Sequence, residues 1–191
     1  MSKKVVILAG GGGSSKTSLL VAWIASQMAG SDIEIENVRL ADLDCRALGS
    51  FDLADPGVAR MLALVNAAHG VIVATPIYKA SFAGVVKLAL DVLPQFGLAG
   101  KAVLPVATAG SLAHALALDY ALRPVLQSMG ARYIVQSTVA SEADWVANEM
   151  GPSLLAHTQA MLSRAVEHFA FALDSRVEVL QLGSPRVLME P

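Results

Sequence analysis

Short apolar runs alternate along this chain with longer segments in which apolar residues recur every three or four positions. The runs are typical of buried strands in a parallel sheet, and the wider spacing is typical of amphipathic helices. The predicted strands are residues 5–9, 33–40, 70–75, 102–108 and 132–136, with Val139 as a continuation of the last. This alternation predicts an α/β fold in which a doubly wound, five-stranded parallel sheet is the middle of three layers.

Proline and serine residues mark expected breaks and starts in these elements. Pro105 lies inside the fourth strand, where its missing N–H predicts a local irregularity. Pro124 lies inside a helix predicted for residues 112–129 and should interrupt its hydrogen-bond ladder. Ser81 is predicted as the N-cap of the helix after the third strand, and the last helix is predicted for residues 151–173.

The first strand leads into four consecutive glycines, and a helix is predicted to begin among the hydroxyl residues that follow them. Glycine lacks Cβ, so a ligand can approach the main chain closely there. The free N–H groups and the dipole of a helix start attract an anion, most naturally a phosphate. The residues predicted to bind it are Gly11, Gly12, Ser14, Ser15, Lys16 and Thr17.

Two further turns follow the third and fourth predicted strands. The carboxyl ends of parallel strands meet at one edge of the sheet, so these turns should lie beside the glycine loop. Their main-chain groups and the face of Tyr78 could enclose a planar ring. The residues predicted to do so are Pro76, Ile77, Tyr78, Lys79, Thr108, Ala109, Gly110 and Ser111. A mononucleotide with one phosphate and one flat head is the ligand predicted for this edge.

Other chemistries fit these residues less well. Residues 10–17 nearly match the triphosphate loop G-x-x-x-x-G-K-S/T, but Ser15 replaces its last glycine and no candidate strand ends in an aspartate for magnesium. The dinucleotide fingerprint fails because no glycine follows Gly13 before the helix. The histidines are scattered, and only His114 follows a candidate ligand turn. No histidine or cysteine spacing indicates a metal site.

Composition narrows the class of partner. The formal net charge of -2 and the lack of a basic run give no electrostatic footprint for nucleic acid or an anionic membrane. An apolar fraction of 54% with 16% charged residues predicts helix surfaces buried between subunits, hence a homo-oligomer, either a dimer or a tetramer. One cysteine and no convincing signal segment predict a cytoplasmic location. Residues 1–173 are expected to form one domain, and residues 174–191 a tail or an arm.

Over about residues 4–173 the sequence resembles the NADPH-dependent FMN reductases, which are flavodoxin-like. The run VIVATPIYKASFAGVVK at 71–87 is similar to that family's strand and flavin-ring loop, and LPVATAGS at 104–111 is similar to its second ring loop. The first loop departs from the family pattern, since glycines replace a serine, a proline and an arginine. The resemblance implies a flavodoxin-like sheet, with FMN and NADPH as the cofactors.

The stretch LDYALRPV at 118–125 most resembles the reductases that serve two-component alkanesulfonate monooxygenases. In those enzymes its tyrosine lies on a π-helical bulge at the tetramer interface, so the resemblance places Tyr120 there, with a gating role. It implies that NADPH reduces FMN, which then passes to a flavin-dependent monooxygenase in sulfonate sulfur assimilation. The cofactors carry this reaction, so no catalytic side chain is expected. Four cations could take the 2′-phosphate of NADPH: Arg39, Lys79, Lys87 and Arg123.

Two other functions remain open at this point. A quinone or azo reductase would retain FMN and reduce an organic acceptor, and only the stretch around Tyr120 speaks against it. A flavodoxin-like electron carrier would bind FMN but react poorly with NADPH. The near-neutral charge of this chain disfavours the carrier, because the surfaces of such carriers are usually strongly acidic.

Overall fold

A mainly parallel sheet lies at the centre of the structure, a computed structural model that describes residues 2–30, 32–149 and 151–174. Its main strands run in the order β2-β1-β3-β5-β6, with β4 paired to β3 and β7 paired to β5. β8 and β9 form a separate antiparallel pair. The strands are β1 (Lys3–Ala9), β2 (Ile33–Arg39), β3 (Gly70–Tyr78), β4 (Ser81–Phe82), β5 (Ala102–Ala109), β6 (Tyr133–Ile134), β7 (Thr138–Ser141), β8 (Trp145–Asn148) and β9 (Gly151–Leu154). Apart from β4, the strands of the central sheet are parallel.

Helices cover both faces of this sheet. They are α1 (Lys16–Met28), α2 (Cys45–Gly49), α3 (Pro56–Ala67), α4 (Gly84–Asp91), α5 (Arg123–Ser128) and α6 (Ala156–Asp174). Helices α1 and α6 pack on one face, and α2 to α5 pack on the other. Short 3-10 turns occupy Leu40–Asp42, Leu112–His114 and Glu142–Asp144. The predicted three-layer, doubly wound fold is confirmed.

Successive side chains along each strand point to opposite faces of the sheet and so contribute to a hydrophobic core on each face. In β1, Val6 and Leu8 pack towards α3 and α4, whereas Val5 and Ile7 pack towards α1 and α6. These four side chains are at most 1% exposed. Burying one such side chain stabilises the fold by about 1.5–3 kcal/mol. The central strands are therefore stable, and they hold the turns at their carboxyl ends in fixed positions.

The fifth strand position is divided between β6 and β7, and Pro105 lies opposite the division. The Val103 carbonyl accepts a hydrogen bond of 2.9 Å from Val135 N–H, so that edge of β5 faces β6. Pro105, two residues further on, faces the same way and has no N–H to donate. The predicted irregularity is confirmed, and its consequence is that β7 continues as a separate strand to the carboxyl edge of the sheet.

The helix predicted for residues 112–129 is three shorter pieces, and its middle piece, Leu118–Leu122, is a π-helix. The N–H of Arg123 reaches the carbonyl of Leu118, five residues back. Pro124 follows directly and cannot donate a bond, so the ladder is already weakened there. The break expected from Pro124 and the π-helical position of Tyr120 are confirmed; its place at a subunit interface stays a prediction.

Two local predictions are wrong. Ser81 is not an N-cap: it pairs with Tyr78 across a tight hairpin, and α4 begins later, at Gly84, after Ala83. The last helix begins at Ala156 rather than at residue 151. Residues 151–154 form strand β9 instead, because a proline at position 152 disfavours helical backbone in the residue before it.

The C-terminal tail predicted for residues 174–191 lies, after its first residue, outside the described residues. In the ranges that are described, none of the helices combines the length and the apolar character needed to cross a membrane.

Candidate active site

The three predicted turns meet at the carboxyl edge of the sheet around an open cleft of about 230 Å³. Two contacts between turns hold them together. The N–H of Gly10 donates to the carbonyl of Ala74 at 2.7 Å, and the buried hydroxyls of Thr17 and Thr108 lie 2.6 Å apart. Residues from β1, β3 and β5 are therefore fixed relative to one another before any ligand binds.

The first two glycines of the loop are tightly packed against neighbouring side chains, whereas the next two are open. A Cβ on Gly10 would come within 2.4 Å of Cγ2 of Val86, and one on Gly11 would come within 2.6 Å of Ser15 Oγ. In contrast, a Cβ on Gly12 or Gly13 would meet nothing within 4 Å. The first two glycines are thus needed for packing, and the next two leave the main chain accessible from the solvent side.

Helix α1 begins at this loop with a hydroxyl cap. Ser15 is the N-cap, and its Oγ accepts a hydrogen bond of 3.3 Å from Ser18 N–H. No acidic residue lies in the first turn of α1, so nothing within the helix neutralises the positive end of its dipole. The side chain of Lys16, at the first helical position, is directed into the same cleft.

The second turn is a two-residue hairpin between β3 and β4, and it begins later than predicted, because Pro76, Ile77 and Tyr78 still belong to β3 and Ile77 and Tyr78 pair with β4. Lys79 and Ala80 both have positive φ, 50° and 62°, which is the geometry of a type I′ turn. Thr75 secures its base, because its Oγ1 accepts from Ala83 N–H at 2.9 Å and donates to the Pro76 carbonyl at 2.9 Å. Tyr78 is 64% exposed at the rim of the cleft, where its ring face is available.

Most of the predicted binding residues line the cleft. Those that do are Ser15, Lys16, Thr17, Pro76, Ile77, Tyr78, Thr108, Ala109 and Gly110. The others, Gly11, Gly12, Ser14, Lys79 and Ser111, belong to the same three turns but do not line the cleft itself. The structure therefore brings the predicted turns together, with some of their residues beside the cleft rather than in it.

A fourth segment, which sequence reasoning missed, completes the wall. It comes from the end of β7 and contributes Ala140, Glu142 and Trp145 to the cleft. Glu142 forms an ion pair with Lys16, and the Lys16 ammonium lies 5.8 Å from the centre of the Trp145 ring. The Ser141-x-x-Asp144 capping box signals a turn in the sequence, but nothing in it indicates that this turn reaches the first loop.

Asp144 anchors this segment. Its Oδ2 accepts hydrogen bonds from the N–H and hydroxyl of Ser141, at 2.7 and 2.6 Å. Its Oδ1 accepts from the Thr158 hydroxyl at 2.6 Å and lies 2.9 Å from Nε2 of His157. Burial by itself raises the pKa of Asp144, but the hydrogen bonds from Ser141, Thr158 and His157 outweigh it and lower the pKa to about 2. This carboxylate fastens the turn to the start of α6.

The chemistry available in the cleft is binding rather than nucleophilic attack. The one carboxylate among its lining residues, Glu142, is paired with Lys16, and the lining has no histidine or cysteine. Within the described ranges, no three histidine, cysteine, aspartate or glutamate residues are grouped so that they could hold a metal ion. Open main chain, hydroxyls, one cation and aromatic walls suit a ligand with a phosphate and a flat ring.

Two buried nitrogen atoms near this edge have no hydrogen-bond partner among the described residues. They are Nε1 of Trp145, whose side chain lines the cleft, and Nδ1 of His114, in the turn after β5. An unpaired buried polar atom is costly, so each is a group that a bound ligand or a small rearrangement on binding could satisfy. This observation also fits a ligand site.

Comparison of the sequence with known proteins identifies the family. The family described as NADPH-dependent FMN reductase matches residues 3–146. This chain belongs to that family. An FMN reductase (NADPH) from Escherichia coli K12 is 36% identical over 172 residues, which are 90% of each chain. One from Pseudomonas putida is 40% identical over 147 residues, 75% of this chain and 74% of that protein.

The solved apo form of an NADH:FMN oxidoreductase, EMOB, agrees with this assignment. It is 41% identical, has a TM-score of 0.81 and covers 91% of both chains. The predicted family, its flavodoxin-like fold and the assignment as an NAD(P)H-dependent FMN oxidoreductase that uses FMN and NADPH are confirmed. Membership of this family favours FMN reduction over the two alternatives considered above, a triphosphate-binding loop and a flavodoxin-like electron carrier.

Proposed function

We propose that this reductase binds FMN in the cleft, reduces it with NADPH and releases it to a flavin-dependent monooxygenase. The observation that carries the proposal is the meeting of three turns, from β1, β3 and β5, around one cleft whose lining has a cation and hydroxyls but no histidine or cysteine. When both nucleotides are bound, hydride passes from NADPH to FMN, so the chemistry belongs to the cofactors. The protein's part is to bind, orient and release them.

The first turn would hold the phosphate. Gly12 has an open main chain, and Ser14 and Ser15 bring hydroxyls to the start of α1, where free N–H groups and the helix dipole favour an anion. Gly11 keeps the loop close to Ser15, and Thr17 ties it to the third turn. Hydrogen bonds to a charged group are each worth about 1.5–3 kcal/mol, so a few of them would hold the phosphate without the arginine that the family pattern often has.

The second and third turns would hold the flavin ring. Residues 76–78 and 108–110 line the cleft, and hydrogen bonds of Thr75 and Thr108 fix the bases of these two segments. Tyr78 at the rim and Trp145 in the wall supply flat apolar surface. Such contacts orient a ring and exclude water from one of its faces, which is what hydride transfer to a bound flavin requires of a protein.

Lys79 is the best-supported partner for the 2′-phosphate of NADPH. Of the four cations considered, Arg39 pairs with Asp42 and Lys87 with Asp91, while Arg123 donates to Asp119 and to carbonyls of the fifth strand position. In the described part of the chain, the side chain of Lys79 forms no hydrogen bond or ion pair, and the residue lies on the exposed hairpin beside the cleft.

An exposed apolar stretch supports the predicted oligomer. Leu112, Leu116 and Tyr120 are 71%, 57% and 78% exposed in one segment that includes the π-helix. Large apolar side chains exposed together are typical of a protein interface. We propose that this stretch packs between subunits of a homotetramer and that Tyr120 gates the retention and release of flavin.

The biological setting follows from the same proposal. A reductase that releases reduced FMN needs a flavin-dependent monooxygenase to consume it, and the resemblance at 118–125 suggests one in sulfonate sulfur assimilation. The free, exposed thiol of Cys45 is compatible with a reducing compartment, which supports a cytoplasmic location. We take residues 1–173 as one domain, because one sheet and its two cores extend from β1 to α6.

The test is kinetic. NADPH oxidation by the purified protein is measured at rising concentrations of added FMN, and the visible spectrum reports flavin that remains bound. Saturable, FMN-dependent oxidation by colourless protein supports the proposal. Yellow protein that oxidises NADPH only when a quinone or azo dye is added would indicate the FMN-retaining reductase instead.

A further inference from the structure

The one cation and the one carboxylate among the residues that line the cleft are paired with each other. Nζ of Lys16 donates a hydrogen bond to Oε1 of Glu142. The two residues are 126 positions apart, on α1 and on the turn after β7, so the fold rather than local sequence brings them together. The cation predicted to attract a phosphate therefore already has a counter-charge.

The surroundings of this pair hold it in place. Trp145 lies beside the Lys16 ammonium, at 5.8 Å from ring centre to Nζ. The backbone around Glu142 is fastened by Asp144, whose carboxylate accepts hydrogen bonds from Ser141 and Thr158. The backbone of Glu142 is thus held beside the start of α1, although the Glu142 side chain is 67% exposed and free to turn outward.

We propose that Glu142 competes with the phosphate of FMN for Lys16 and so limits how tightly the reductase holds its flavin. This inference rests on the proposed binding of FMN in the cleft. A phosphate monoester carries about 1.5 to 2 negative charges at neutral pH, so it gains from Lys16 and is repelled by Glu142. An ion pair with this much exposure is weak, and a dianion that is also held by backbone N–H groups can displace it.

The competition has a functional consequence. The phosphate has to break the ion pair between Lys16 and Glu142 in order to bind, and Lys16 regains its partner when flavin leaves. The exchange lowers the affinity for FMN, and it does so through the phosphate alone. A reductase that must hand over its product benefits from this, whereas one that retains FMN permanently would not.

Riboflavin provides the discriminating ligand, because it has the same ring as FMN and lacks the phosphate. Dissociation constants for FMN and riboflavin are measured by quenching of flavin fluorescence, without NADPH, for the wild-type protein, Glu142→Gln, Lys16→Gln and the double variant. Glu34→Gln is the matched control: it also removes one exposed carboxylate, but from the opposite end of the sheet, where Glu34 is in register with Lys4. Thermal unfolding checks that every variant is folded.

Glu142→Gln is expected to tighten FMN binding about tenfold and to leave riboflavin binding unchanged, since a single nearby charge is removed. Lys16→Gln should weaken FMN binding, and in its background the Glu142 change should have a smaller effect. Unchanged FMN affinity in Glu142→Gln, or equal changes for both flavins, would overturn the inference while leaving the proposed site intact. Weaker FMN binding would overturn it too, and would make Glu142 a positioning residue for Lys16. A wild-type protein that binds neither flavin would overturn the proposed function and this inference together.

Discussion

The hydroxyls of Thr17 and Thr108 lie 2.6 Å apart, although the two residues are separated by 91 positions. Both are nearly inaccessible, with 1% and 8% of their surface exposed. This bond joins the first helical turn of α1 to the end of β5, and so joins the loop that would hold a phosphate to the turn that would hold a ring.

Thr108→Val should therefore lower the free energy of unfolding by about 1–3 kcal/mol, because it leaves the Thr17 hydroxyl buried without a partner. Thr17→Val should have a similar effect. The double variant should lose less than the sum of the two, since both polar groups are then gone. Chemical denaturation gives all three values, and strictly additive losses would show that the two hydroxyls do not stabilise each other.

Acid should destabilise the segment at residues 140–145, because it protonates Asp144. The pKa of Asp144 in the folded protein, about 2, is below its value of 3.8 in an unfolded chain, so the unfolded state takes up a proton first as the pH falls. The stabilisation is complete above about pH 5 and disappears as the pH falls through about 2; it amounts to about 2 kcal/mol.

Asp144→Asn should remove this pH dependence and reduce stability at neutral pH. The control is Asp32→Asn, at an exposed position before β2. Denaturation curves from pH 2 to pH 7, a range set by these pKa values, supply the measurement. If the wild-type protein and Asp144→Asn lose stability equally with acid, Asp144 is not the anchor described above.

Lys79→Gln should raise the KM for NADPH about tenfold, which is the effect of losing one charge-assisted hydrogen bond, and leave the KM for NADH nearly unchanged. Lys87→Gln is the matched control, because Lys87 is already bonded to Asp91 at 2.6 and 2.7 Å. Steady-state kinetics with NADPH and with NADH give the KM values of both variants. Equal effects of Lys79→Gln on NADPH and NADH would exclude a contact with the 2′-phosphate.

Tyr120→Ala should change both the subunit assembly and the retention of flavin, since this side chain is 78% exposed on the π-helix and is proposed to pack in a neighbouring subunit. Tyr120→Phe keeps the ring and should preserve the assembly. Sedimentation velocity and the amount of flavin that co-purifies report the two effects. The gating role fails if Tyr120→Ala has the same size, flavin content and turnover as the wild-type protein.

The sequence was sufficient for the features that local chemistry determines. Buried apolar runs predicted the strands, and the glycines before Ser15 predicted a turn that leads into a helix, because both signals lie within a few adjacent residues. The irregularity at Pro105 and the break before Pro124 were predictable for the same reason: proline lacks a donor wherever it occurs.

The rest depended on contacts between distant parts of the chain. Ser81 has the composition of an N-cap, but pairing with Tyr78 makes it a strand residue. Glu142 and Trp145 reach the cleft only because β7 continues beyond the interruption opposite Pro105, and no periodicity in the sequence reports that. The missed part of the site is therefore the part assembled by tertiary structure.

The most direct test of the account is the dependence of NADPH oxidation on added FMN. Purified protein is expected to be nearly colourless, and its rate of NADPH oxidation should rise from near zero and saturate as FMN is added. A rate that does not respond to FMN, in a protein that remains yellow and requires a quinone or an azo dye, would contradict the claim that this reductase treats FMN as a substrate it binds and releases.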